Sequence, residues 1–69
     1  MNIGKAVVEL RKEKGLSQEK LAFEAEVSRH YMYKLENNLA SPTVNMLEKL
    51  STVLGVKPSE ILEKAQALR

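Results

Sequence analysis

The stretch Gln18–Asn37, QEKLAFEAEVSRHYMYKLEN, decides the fold. Its apolar residues recur at helical spacing, and nothing in it alternates as a strand would. Ser17, just ahead, is a good N-cap, because its hydroxyl can accept from a backbone N–H that a helix start leaves without a partner. A helix is therefore expected from about Gln18 to Ala25, with Leu21, Ala22 and Ala25 turned inward. Ser28 supplies the next cap, and Val27, Met32 and Leu35 form the inward side of the helix that follows. Asn37-Asn38 ends it, since asparagine tolerates the left-handed conformation better than most residues. The joint between the two helices is only about three residues long, so Leu21 and Ala25 must meet Val27, Met32 and Leu35. Ala22 falls near the crossing, where a small side chain lets the backbones approach. These constraints suit a helix pair crossing at about 90–120°.

The pattern continues outward in both directions. Ile3, Val7 and Leu10 stand at i, i+4, i+7, and Gly15 follows as a stop. On the other side, Leu39-Ala40-Ser41-Pro42 leads to Thr43, a third cap. Val44, Leu47, Leu50, Ser51 and Leu54 then mark the core side of a fourth helix closed by Gly55. Pro58 suits the first turn of a fifth, whose apolar face is Ile61, Leu62, Ala65 and Leu68. No repeat, low-complexity tract or flexible linker interrupts the chain. The expectation is an all-α protein, five helices in one domain spanning residues 1–69.

Composition narrows the function classes. A chain of 69 residues builds a small core with a thin stability margin, and no cysteine is present to staple it or to ligate a metal. The lone histidine, His30, cannot form a metal site by itself. With no Cys, no Asp, one His and no Gly-rich phosphate loop, an enzyme is not expected, nor a cofactor or small-molecule ligand. Ser17 and Ser28 are already accounted for as caps. The longest apolar runs are three residues, among them Ala6–Val8 and Tyr31–Tyr33, far short of a membrane span. Nor is Met1–Lys5 followed by the apolar core of a secretory signal, and a cytoplasmic location is expected. The net charge of +2 is a weak bias. Residues 1–34 carry it, with seven basic and five acidic side chains, whereas residues 35–69 carry four of each. Charge alone would not identify a partner; most such charges line solvated helix faces.

The crossing pair is more informative, because that geometry can hold a second helix in a DNA major groove. The sequence resembles the phage-repressor-like helix-turn-helix family, the Cro/cI or XRE type. The resemblance runs through Ile3-Gly4 and Leu10-Arg11, then Gly15-Leu16-Ser17-Gln18 and Leu21-Ala22. Val27-Ser28-Arg29, Tyr31, Leu35-Glu36, Pro42-Thr43, Leu47, Leu54-Gly55-Val56 and Ile61-Leu62 complete it. Each piece is weak alone; their joint order and spacing are specific. The resemblance implies a lambda-repressor-like fold with the helix-turn-helix at 18–37, and sequence-specific binding of double-stranded DNA as a transcriptional regulator, most naturally a repressor. Phage or plasmid repressors and the controller proteins of restriction–modification systems are the kinds of relative it brings in.

By position, the resemblance assigns Arg29, His30, Tyr33 and Lys34 to base edges. It assigns Gln18, Ser28, Tyr31 and Asn37 to the DNA backbone, with Gln18 also bracing the reading helix. Base contacts carry sequence information and phosphate contacts fix register. The plainer alternatives are solvated helix surface for Arg29 and His30, and packing over the following loop for Tyr31. Arg11 and Glu36 match a buried salt bridge tying the first helix to the third. Phe23 lies off the inward face of its helix; packing on the third helix and a partner surface are both open for it. Glu26 stands where the family commonly places glycine: either the turn keeps a positive φ and glutamate is strained, or the turn adjusts and re-aims the third helix. Asn38 replaces another frequent glycine more tolerably.

A rival reading keeps the fold without DNA binding, as an antitoxin or antirepressor that binds protein. The row Arg29, His30, Tyr33, Lys34 has no acidic member and argues against it. One such unit reads few base pairs, so a homodimer is expected. The last helix, about 58–68, carries more apolar surface than one small core needs. Ile61 and Leu62 are expected to dock on the fourth helix, leaving Ala65 and Leu68 for the dimer interface.

Overall fold

Each helix begins where a side chain, a carboxylate or a proline deals with the N–H groups that a helix start leaves orphaned. The computed structural model describes residues 1–68, with helices α1 (Ile3–Glu13), α2 (Gln18–Glu24), α3 (Arg29–Glu36), α4 (Val44–Leu54) and α5 (Pro58–Ala67). Ser17 Oγ accepts from the Lys20 N–H at 3.0 Å, Ser28 Oγ from Tyr31 at 3.0 Å and Thr43 Oγ1 from Met46 at 3.2 Å. Asn2 caps α1 in the same way, through Lys5 at 3.0 Å. At the start of α5, Pro58 has no N–H to satisfy, and the Glu60 carboxylate accepts from the Lys57 N–H at 2.6 Å. Gly55 closes α4 in the left-handed conformation at φ 72°.

Val7, Leu21, Met32, Leu35, Leu50 and Ile61 are fully buried and bring all five helices to one core. Helix α1 lies against α3 and α5, α2 against α3, and α4 against α5. Two expectations on the apolar faces are corrected. Val44 was assigned to the core side of α4 but is 72% exposed, because the first residue of α4 precedes the packed turn. Ala65 was assigned to a partner but is 0% exposed in the single chain. The reason is that α5 docks on α1 as well as on α4, and the Asn2 N–H donates to the Ala65 carbonyl at 2.8 Å. Of the two residues given to a dimer, Leu68 alone keeps surface.

The contact of α1 with the end of α3 rests on a glycine. A Cβ on Gly4 would lie 2.6 Å from the Glu36 carbonyl oxygen and 2.7 Å from that of Leu35, closer than packed atoms tolerate. Asn38 locks this approach. Its Oδ1 accepts from the Gly4 N–H at 3.0 Å, and its Nδ2 donates to Asn2 Oδ1 at 2.7 Å. Asn38 holds φ at 59°, a conformation that asparagine bears better than most residues.

Candidate nucleic-acid interface

At 100° per residue, Arg29, His30, Tyr33 and Lys34 fall within an arc of about 140° on α3. Tyr31, Met32, Leu35 and Glu36 take the opposite side. The structure follows that division. Met32, Leu35 and Glu36 are buried, Arg29 and His30 are exposed, Tyr33 is 53% exposed and Lys34 is half-buried. All four residues assigned to base edges thus share one accessible face with two cations and no carboxylate of its own.

Beneath that face, α3 is anchored by a charge cluster. The Glu36 side chain is 3% exposed and receives Arg11 Nε at 2.8 Å on Oε2 and Arg11 Nη2 at 3.1 Å on Oε1. Gln18 Nε2 donates to the same Oε1 at 2.9 Å, and Arg11 Nη1 donates to the Leu16 carbonyl at 3.0 Å. A buried carboxylate is tolerated because a bidentate guanidinium and an amide fill its lone pairs. The salt bridge expected between Arg11 and Glu36 is therefore present, and Gln18 braces α3 as expected, through Glu36.

The turn between α2 and α3 keeps the geometry that favours glycine. Glu26 has φ 59° and is exposed, so its Cβ bears the strain of that conformation. The turn is closed by the Val27 N–H donating to the Ala22 carbonyl at 3.0 Å. Val27 and Tyr31 pack against the core from this side, and Tyr31 retains part of its surface. Ser28 is exposed with its hydroxyl engaged as the α3 cap. Asn37 is exposed at the other end of α3, its Nδ2 donating to the Tyr33 carbonyl at 2.8 Å.

Phe23 does not pack on α3. It is 76% exposed, with Lys20 Nζ 5.9 Å from its ring centre. Together with Ala22, Val27 and Arg29 it borders a shallow groove between α2 and the start of α3. Across that groove Arg29 Nη1 donates to Glu19 Oε2 at 3.1 Å, joining the first turns of α2 and α3. Sequence reasoning did not find this pair, nor the Asn2–Gly4–Asn38 lock. Both join residues ten or more apart, beyond any local rule, although Asn2 alone was legible as a cap three residues before Lys5.

The Helix-turn-helix family profile matches residues 7–61. The chain is 40% identical over 63 residues to the HTH-type transcriptional regulator SinR of Bacillus subtilis; this takes in 90% of the chain and 57% of SinR. The chain thus spans little more than half of that relative's length. It is 38% identical over 61 residues to control protein C.BamHI of Bacillus amyloliquefaciens, covering 87% of the chain and 75% of C.BamHI. Among solved structures, the crystal structure of the master regulator for biofilm formation SinR in complex with DNA superposes with a TM-score of 0.83. Its sequence identity is 41%, over 87% of this chain and 97% of that one.

Proposed function

This chain belongs to the helix-turn-helix family, and we propose that it binds double-stranded DNA sequence-specifically as a transcriptional regulator, acting as a cytoplasmic, non-enzymatic repressor. The observation that carries the reading is the two-sidedness of α3. Its outer face presents Arg29, His30, Tyr33 and Lys34, while its inner face is fixed by Glu36 to α1 and α2. A rigid helix with hydrogen-bonding side chains on one free face is what major-groove reading requires. Arginine pairs bidentately with guanine, and lysine serves guanine or phosphate. Gln18, at the start of α2, and Ser28 and Asn37, at the ends of α3, take the phosphate contacts that set register, together with the exposed part of Tyr31. The reading includes a homodimer, which doubles the length of DNA read. Leu68, just past the end of α5, retains surface beyond the monomer core and forms its apolar contact.

Selection of bound duplexes from a random pool, followed by titration of the winning site, tests the proposal. Arg29→Ala should cost about 1–3 kcal/mol on that site and relax the preference at one base position. Gln18→Ala should weaken all duplexes more evenly, because a phosphate carries no base identity. No enriched site, or an equal loss for Arg29→Ala on selected and random DNA in a folded variant, refutes base reading by this face.

A further inference from the structure

We propose that Glu19 is a positioning residue for base reading: it holds Arg29 from the side and leaves the rest of the guanidinium free to face a guanine. The inference rests on the reading of Arg29 given above and adds to it a residue on the other helix.

Arg29 is the first residue of α3, where the positive end of the helix dipole disfavours a cation, and no acidic side chain stands in the first turn of α3. The compensating anion comes from α2. Glu19 is the second residue of α2, so its carboxylate is itself favoured by the dipole of its own helix. The pair spans the groove at 3.1 Å, with side chains 73% and 72% exposed. Glu19 engages Nη1 alone; among the described residues no hydrogen bond is made by Nε or Nη2. A guanidinium has five donors in a fixed plane, so an arginine held through Nη1 still presents the parallel Nε and Nη2 donors to the two acceptors on a guanine edge.

The physical gain is pre-organisation. A free arginine side chain loses much rotamer freedom when it is fixed on a base, and one already held loses less. The same hold works against swinging to a neighbouring phosphate, a contact available on every sequence. Glu19 therefore acts on the ratio between guanine and the other bases rather than on affinity as a whole. Its negative charge also repels phosphates, but that effect is shared by all duplexes and cancels in the ratio.

The test is selection from a randomised duplex pool with the wild type, Glu19→Ala, Arg29→Ala and the double variant, read as base ratios at every position. Both side chains are exposed, and circular dichroism melts check that each variant is folded. Glu19→Ala should relax the same base position as Arg29→Ala does, and no other, by roughly two- to fivefold, the range set by exposed ion pairs. In the Arg29→Ala background, Glu19→Ala should leave all base ratios unchanged. If Arg29→Ala relaxes a position and Glu19→Ala does not, Glu19 has no positioning role although Arg29 reads a base. The same conclusion follows if Glu19→Ala acts equally with and without Arg29. If Arg29→Ala itself relaxes nothing, both the reading of Arg29 and the role of Glu19 fall.

Discussion

Glu36→Gln removes one charge from the cluster that fixes α3 and changes almost no volume. In the native chain the Glu36 carboxylate accepts three hydrogen bonds, two from Arg11 and one from Gln18, with its own side chain 3% and that of Arg11 13% exposed. The neutral amide retains one oxygen for these donors and turns an N–H₂ toward at least one of them. Arg11 then stays charged and nearly dry without a counter-ion. Breaking a buried pair in this way costs about 3–5 kcal/mol, and the residual exposure of Arg11 places this case near the lower end. A chain of this length holds about 3–10 kcal/mol in all, so the variant should lose a third or more of its stability. Urea titration followed by circular dichroism measures the loss. Arg11→Met combined with Glu36→Leu should recover most of it, since an apolar pair carries no desolvated charge. A loss below about 1 kcal/mol for Glu36→Gln, the range of exposed ion pairs, would refute the view that this cluster is what orients α3.

Three further outcomes follow from particular side chains. Glu26 and Asn38 share φ 59°, yet Glu26→Gly should stabilise the fold by about 1 kcal/mol and Asn38→Gly should destabilise it by a similar amount, because only Asn38 holds Gly4 and Asn2 by hydrogen bonds; equal signs in thermal melts would contradict this. Lys64 lies 3.3 Å from Glu13 and 3.5 Å from Glu9 across α5 and α1; the hydrogen bond to Glu13 is the largest influence on its pKa, desolvation opposes it next, and the charges of Glu13 and Glu9 add to the rise, leaving the value above the ordinary 10.5. A raised folded value means that this stabilisation is complete below 10.5 and lost as pH climbs through the higher value, so Lys64→Met should flatten the alkaline decline of urea midpoints, and parallel profiles would argue against it. Leu68→Glu should dissociate the dimer and weaken DNA binding while α1 to α5 stay helical; a wild type that sediments as a monomer at tens of micromolar would remove the basis for paired reading helices about 34–36 Å apart.

The helices were legible because their ends are local. Ser17, Ser28, Thr43, Gly55 and Pro58 each act within four residues of themselves, and each sits where the periodicity placed it. The division of α3 into inner and outer faces was legible for the same reason. The faces of α4 and α5 were less so. Periodicity states which residues share a side, but whether Ala65 meets α1 or a second chain depends on where α1 lies, and nothing near Ala65 in sequence encodes that. Val44 shows the converse: the stripe extends to it, while the core does not reach the first residue of α4. In the candidate site, Arg11 with Glu36 came from resemblance, since a separation of 25 residues has no signature of its own. The bracing by Gln18 came from the resemblance too, but its partner Glu36, like the grip of Glu19 on Arg29, needed the crossing of α2 and α3 in three dimensions.

Because the buried anchors of α3 all lie on its inner side, the outer side is open to revision. Residues 29, 30, 33 and 34 can change identity without touching Met32, Leu35 or Glu36, which are buried. Retargeting to a new operator is then a problem in four side chains and their neighbour on α2, not a problem in folding. A small library at these positions, made on a Glu26→Gly background for a wider stability margin, would sample new specificities without re-engineering the scaffold. It also means that descendants of one ancestral chain can diverge in the DNA they recognise while their cores stay nearly unaltered.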